Sequence, residues 1–291
     1  MKKTICCIAL VICILTSLAC LSACNQYTVK LDDLDVGQIK VMSLNLRHIY
    51  SEDTGNRSWK HRKTLVATNI QETQPTIIGM QEVTPKQYED CKNYLKNYNS
   101  EITYRDTTEN SEGCPIFYYK DLYTLVSKGT FWLSETPDVV SKDWGSAYCR
   151  ICTYVVLRDK HTGKQFAVFN TQLDNESKTA RVNGIDVIME KIQTLHDCPT
   201  ILMGDFNATE NSQVYITATK TLSDVKYLTE NDYVNCATYH NWGQKLNNKP
   251  IDYILITKTG FTVNSYNVVN TTYKGDYVSD HFPILSTLKF A

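Results

Sequence analysis

The feature that most constrains this chain is the punctuation of its apolar runs. Ile39–Leu44 stops at Asn45, and Thr76–Met80 stops at Gln81 and Glu82. Phe166–Thr171 carries Asn170 and leads into Gln172 and Asp174, while Thr200–Met203 leads through Gly204 into Asp205 and Asn207. Asp252 sits at the start of the run Ile251–Ile256, and Val278-Ser279 leads into Asp280 and His281. Short runs rich in β-branched residues read as buried strands. Charged groups beside such strands cost stability unless they are paired or hold a metal. Strand ends that share one side of a domain would therefore form an oxygen-lined site. Glu, Asp and Asn oxygens without thiolates suit Mg²⁺, and equally Mn²⁺ or Ca²⁺, rather than zinc.

Further strands are expected over Pro115–Tyr119, Tyr123–Val126, Arg150–Leu157, Phe261–Val269 and Pro283–Leu288. Helices are expected from Ser58 through Ile70, from Thr84 with Pro85 at its first turn to Tyr94, and from Ser177 to Leu195. In the last, Val182, Ile185, Ile188, Met189, Ile192 and Leu195 recur at helical spacing and read as core. Strand clusters mixed with helices indicate an α/β domain with sheet packed under helices. No repeat or Pro/Gly/Ser-rich linker interrupts residues 39–291, so one domain is expected there. The chain's 19 tyrosines and modest charge exclude wholesale disorder. With 30 basic against 31 acidic side chains, the chain lacks the basic excess of a protein that grips duplex DNA through its phosphates.

The N-terminus reads as an address. Lys2 and Lys3 precede an apolar run from Ile5 to Leu21, short for a bilayer span. Leu21-Ser22-Ala23-Cys24 resembles the lipobox of bacterial lipoproteins, which implies a signal peptide over residues 1–23 and lipid on Cys24. Residues 24–38 then read as a polar, irregular tether. Both this and the rival reading, an uncleaved signal anchor, place the domain outside the cytoplasm. Six cysteines remain: Cys91, Cys114, Cys149, Cys152, Cys198 and Cys236. Their pairing stays open, because spacing alone cannot choose among the possible bridges. Cys149 and Cys152 have metal-like spacing, but they fall in a β-rich run where residues three apart face opposite sides. With no second pair and no nearby histidine, they read as ordinary strand cysteines.

The ordered set of strand-end residues resembles the endonuclease/exonuclease/phosphatase (DNase I-like) superfamily. The matching stretches are Met42–Arg47, Ile78–Val83, Ile116–Tyr118, Phe131–Pro137, Asn170–Asp174, Gly204–Asn207, Ile251–Ile254 and Ser279–Pro283. Phe131–Pro137 and Arg150–Thr153 look like the exported bacterial branch. The resemblance implies a four-layer α/β sandwich: two mixed β-sheets packed face to face, with helices on the outside. It also implies Mg²⁺-dependent hydrolysis of a phosphoester, most readily a phosphodiester, by a monomer. Nucleic acid, a phospholipid head group and a phosphorylated glycan all remain open as substrates.

Residue by residue, the resemblance implies that Glu82 is the principal metal carboxylate, supported by Asn45 and Asp280. Asp205 and Asn207 match the pair that orients the attacking water and the phosphate. Asp252 matches the acid that holds a histidine, and His281 is that histidine, with His281 and Asp205 rivals for general base. One position departs from the pattern. Relatives read Asn-Thr-His-Leu-Asp where this chain has Asn170-Thr171-Gln172-Leu173-Asp174. Glu112 matches the acid that orients the missing histidine. Gln172 can donate an N–H to phosphate but cannot shuttle a proton. A slow or selective hydrolase is one consequence; a non-catalytic lipoprotein that binds a phosphorylated or sugar-bearing ligand in the same groove is the alternative. Arg47, Asn170, His240 and Trp242 are candidate substrate contacts. Trp59 and Arg62 read as packing, and His48, His61, His161 and His196 as surface or helix-end residues.

Overall fold

The computed structural model of the protein describes residues 29–32, 34–195, 197–229, 237–244 and 249–291. The expected signal, Cys24, His196 and Cys236 lie outside the described residues. In chain order the elements are β1 (Gln38–Asn45), α1 (Trp59–Thr73), β2 (Ile77–Gln81), α2 (Pro85–Tyr94), β3 (Tyr98–Glu101), β4 (Ile116–Tyr119), β5 (Tyr123–Trp132), β6 (Ile151–Asp159), β7 (Gln165–Gln172), α3 (Lys178–Leu195), β8 (Thr200–Asp205), α4 (Gln213–Thr219), β9 (Leu222–Asp224), β10 (Asp252–Thr257), β11 (Phe261–Val268) and β12 (Ile284–Phe290). They form two six-stranded sheets, ordered β11-β12-β1-β2-β4-β3 and β5-β6-β7-β8-β10-β9. Each sheet is mixed: β1 pairs in parallel with β2, and β7 with β8, while the other pairings are antiparallel. The parallel pairs are those bridged by α1 and by α3, as a crossover requires.

Three apolar layers hold these elements together. Val41, Ile77, Val168, Ile201, Met203 and Ile254 fill the space between the sheets. Ile185, Ile188 and Met189 of α3 cover Phe169, Leu202 and Leu255 on the outer face of one sheet. Val66 and Ile70 of α1, with Cys91 of α2, cover Met42, Met80 and Phe117 on the other. This is the four-layer sandwich expected from the sequence. Strands buried on both faces explain why the apolar runs are continuous rather than alternating. Helix α2 starts where expected because Thr84 and Gln87 form a reciprocal capping box and Pro85 follows.

Several local expectations need correction. β5 continues six residues beyond Val126, across a bulge between Leu125 and Ser127, into a half-exposed stretch. β3, β9 and α4 are short and carried little apolar pattern. Part of the expected tether lies on the domain: Val29 is buried under the α1/α2 side, and Asn97 donates to its carbonyl at 3.2 Å. Cys91, Cys114, Cys149, Cys152 and Cys198 are free thiols. Burial raises the pKa of each, to about 12 for Cys91 and Cys114. No helix among the described residues is long and apolar enough to cross a membrane.

The sheets approach closely at Gly79. A Cβ there would lie 2.6 Å from Met203 Cε and 2.9 Å from Asn170 Cγ. Asn170 of β7 crosses this gap. It donates to the Met80 carbonyl at 2.7 Å and the Pro115 carbonyl at 2.9 Å, and accepts from Gln81 Nε2 at 2.7 Å. The side chain is fully buried, so it is a clamp between the sheets and not the substrate contact expected from the sequence. Asn170→Ala would strand three buried polar partners. Chemical denaturation is expected to show a loss of roughly 3 kcal/mol or more.

Candidate active site

Strand register brings the polar residues to one end of both sheets. Asp205 stands opposite Gln172 in the parallel β7/β8 pair and opposite Asp252 in the antiparallel β8/β10 pair. In the other sheet Asn45 is level with Gln81, and Glu82 follows. Gly204 has φ +145°, and a Cβ there would lie 1.9 Å from the Thr171 carbonyl oxygen. Only glycine fits between β7 and the carboxylate that follows. Arg47, Glu82 and Asn207, each just past a strand end, take left-handed φ values of 55°, 61° and 47°. Such backbone is strained for residues with a Cβ and clusters at functional sites.

Two connections complete the site. Asp280 and His281 precede β12 and are fastened to the 237–244 segment: His240 N–H donates to the Asp280 carbonyl, and Phe282 N–H to that of Thr238. Arg62, fully buried on α1, donates to the carbonyls of Leu46, Arg47, Val278 and Arg57. It ties the loop after β1 to the segment leading to Asp280, a larger role than packing. Burial lowers its pKa to about 10, with Asp280 and Asp53 offsetting part of the effect, so it remains a cation at neutral pH.

These residues surround an open cavity of about 270 Å³ whose lining includes Arg47, His48, Glu82, Glu112, Gln172, Asp205, Asn207, Asp280 and His281. Asn45 Nδ2 bridges the sheets, 3.1 Å from both Glu82 Oε1 and Asp205 Oδ2. Gln172 Nε2 donates to Glu82 Oε1 at 2.8 Å. Asp205 Oδ1 accepts from Asn207 N–H at 2.9 Å. His281 Nδ1 lies 2.9 Å from Asp252 Oδ2. Arg47 pairs with Asp53 at 2.9 Å and reaches Asp280 at 3.7 Å.

Burial opposes charge on His281, but the Asp252 charge and hydrogen bond, with Asp205 and Asp280, raise its pKa to about 10. Asp205 moves the other way from an exposed acid: burial and the Asp252 charge push it to about 7, with His281 offsetting part. Burial also opposes the Glu82 charge, yet His48, Asn45 and His281 hold that carboxyl well below the usual range. Asp280 stays raised, because burial and the Glu82 charge outweigh the relief from His281.

Other sequence expectations land elsewhere. His240 is buried, stacked on Phe282 at 3.9 Å and near Tyr277 at 4.4 Å. Burial lowers its pKa to about 4, and it packs behind the site without facing substrate. Trp242 lies against the Arg62 and Arg57 guanidiniums and does not line the cavity. Glu112 does line it, but its partner is Arg105 at 2.8 Å and not residue 172. His48 is half-buried and lines the cavity: its Nδ1 is 3.0 Å from Glu82 Oε2 and 3.8 Å from Glu112. Its position three residues beyond Asn45, in a loop leaving a site strand, was the available signal. Arg105, Tyr148, Arg150, Asn175 and Tyr239 also line the cavity without having been singled out.

The donor set fits a hard divalent cation. Glu82, Asp280 and Asp205 supply oxygens, and the raised Asp280 marks carboxylates crowded beyond their local compensation. Asn45, expected as a ligand, instead turns its Oδ1 to the Arg47 N–H at 2.9 Å and its Nδ2 to the acids. Asp205, Asp252 and His281 also offer ligand atoms within 4.8 Å of one another, and Asp252 Oδ1 is buried with no hydrogen-bond partner. A divalent ion is therefore expected to stabilise the fold. Thermal melts should rise with Mg²⁺ or Mn²⁺, by about 2.7 kcal/mol at a hundredfold excess over Kd, and Glu82→Ala should weaken that response.

A model of the Endonuclease/Exonuclease/phosphatase family matches residues 42–281, and the chain belongs to that family, whose members are phosphoesterases and nucleases that generally use divalent metals. The crystal structure of a family protein from Bacteroides thetaiotaomicron is similar at a TM-score of 0.81, with 32% identity over 89% of this chain and 100% of that one. A mannosyl-6-phosphatase from Bacteroides thetaiotaomicron VPI-5482 is similar at a TM-score of 0.80, with 32% identity over 87% of this chain and 99% of that one. An uncharacterised protein of Acanthamoeba polyphaga mimivirus is 27% identical over 85% of this chain and 98% of its own length.

Proposed function

We propose that this chain is a divalent-metal-dependent phosphoester hydrolase, held by lipid on Cys24 at the outer face of a bacterial membrane. The observation that carries the hydrolase reading is the convergence of Glu82 from one sheet with Asp205, Asp252 and His281 around one open cavity. The lipobox-like Leu21–Cys24 supports the location. The substrate reading is a small, hydroxyl-rich phosphoester. Among the described residues, charged and amide side chains supply most of the cavity lining, with Tyr148, Tyr239 and Ile251 adding apolar surface beside them. The mannosyl-6-phosphatase relative supports a sugar phosphate.

Glu82 with Asp280 would hold a divalent cation, which would supply Lewis-acid polarisation of the phosphoryl oxygen, while Asn45 Nδ2 fixes Glu82. Asp205, near neutrality in pKa, takes a proton from the attacking water, and Asn207 N–H fixes its second oxygen. His281, held as an imidazolium by Asp252, donates to a phosphoryl oxygen or the leaving group. This reading takes Asp205, of the two candidates, as the general base. Arg47 adds positive charge at the rim, held in place by Asp53.

The rival reading, a binding lipoprotein without turnover, draws on Gln172, which cannot relay a proton. Both readings are tested by incubating the full-length chain with Mg²⁺, Mn²⁺ or Ca²⁺. The panel is mannose 6-phosphate, bis-p-nitrophenyl phosphate, DNA, RNA and sphingomyelin, with Glu82→Ala as control. Metal-dependent turnover of the sugar phosphate, lost in Glu82→Ala, is expected; binding without turnover of any ester would establish the rival. The pH profile supplies a second check. Activity should rise through about pH 7 as Asp205 loses its proton and fall near pH 10 as His281 loses its own. Asp205→Asn should lower kcat by about 10²–10⁴ and abolish the acid limb.

A further inference from the structure

Gln172 is gripped at both ends by groups that cannot exchange roles. Its carbonyl Oε1 accepts from Arg150 Nη1 at 2.7 Å. Its Nε2 points the other way, 2.8 Å from Glu82 Oε1 and 3.4 Å from Asp205 Oδ2. A guanidinium only donates and an ionised carboxylate only accepts. Turning the amide over would set donor against donor and acceptor against acceptor, so one orientation survives.

Arg150 is itself fixed by a separate acceptor for each nitrogen. Nη2 donates to Asn175 Oδ1 at 2.7 Å, and Nε lies 3.4 Å from Asp174 Oδ2. Asp174 in turn accepts from Ser146 Oγ at 3.0 Å and from the N–H groups of Ala147 at 3.0 Å and Ser177 at 2.7 Å. The side chains of Arg150 and Asp174 are 6% and 1% exposed, so this pair is buried, while Asn175 is exposed at the cavity edge. A rigid path thus runs from Asp174 through Arg150 to the amide that faces the reaction site.

We propose that Arg150 is a positioning residue, which holds the Gln172 carbonyl so that the amide Nε2 fixes Glu82 and Asp205, the carboxylates assigned above to cation binding and proton transfer. The inference rests on the hydrolase reading above. The two residues form a matched pair. A protonated imidazole at position 172 would confront the Arg150 cation at hydrogen-bond distance, whereas an amide carbonyl accepts from it. The amide at 172 is a donor held in one orientation by the guanidinium behind it. It replaces a titrating group with a donor whose strength does not vary with pH.

A double-mutant cycle on the full-length chain tests this, with turnover of the best ester from the panel above in saturating Mg²⁺ or Mn²⁺. Gln172→Met removes the N–H and should lower kcat by about 10²-fold, leaving KM little changed. Arg150→Met should lower kcat to a similar extent, and the double variant should be no slower than the slower single one. Effects of the two substitutions that multiply would overturn the proposal, because Arg150 would then act independently of Gln172. If Arg150→Met loses its cooperative melt, Arg150→Lys takes its place. Lysine keeps a charge beside Asp174 but cannot serve three acceptors, and should show the same non-multiplicative behaviour. Absence of turnover by the wild type would instead overturn the hydrolase reading, and the positioning role with it.

Discussion

The structure depends on keeping several carboxylates buried together at the ends of two sheets. Glu82, Asp205, Asp252 and Asp280 stand within one neighbourhood, and burial acts against the charge of each. The fold compensates with His281 against Asp252, His48 against Glu82, Arg47 near Asp280, and amide donors from Asn45 and Gln172. That compensation is incomplete at Asp280 and Asp205, whose pKa values remain raised. A domain selected for stability alone would replace these groups with apolar ones. Their presence at one opening is the physical signature of a site for a cation and an anion together.

The site straddles the sandwich. Glu82 and Asn45 belong to one sheet, Gln172, Asp205 and Asp252 to the other, and the Asp280–His281 pair to the connection between β11 and β12 of the first sheet. Neither sheet alone holds enough groups for the chemistry. Asn45 and Gln172 each contact Glu82 and Asp205, so they stitch the two contributions together in the cavity floor. Arg62 acts from outside the cavity and within one sheet, gathering carbonyls from the loop after β1 and from the β11–β12 connection.

Much of this was legible in the sequence because strands buried on both faces leave continuous apolar runs, and polar residues at their ends stand out. Asn45, Glu82, Asp205, Asp252 and His281 are marked in that way, and the strand registers bring them level. What lay off the strands was harder to read. His48 sits in an irregular loop whose path follows from Arg62 and a left-handed Arg47, neither of which leaves a periodic pattern. His240 and Trp242 lie in a loop close to the site in sequence, yet stacking with Phe282 and the arginines turns them inward. Asn170 looked like a ligand because it is polar and adjacent to the motif, but the close approach at Gly79 makes it a cross-sheet clamp. The short β3 and β9 owe their existence to neighbouring strands, since their own residues carry weak preference.

That close approach has a mechanical corollary. With no side chain at Gly79, Met203 and Asn170 settle directly against the backbone of β2, three residues before Glu82 and within reach of the strand that delivers Asp205. The width of the opening is thus governed from the interior of the sandwich and not by a hinge at its mouth. Substitutions well out of contact with any ligand, at the seam between layers, would be felt at the surface as a changed span between the two acids.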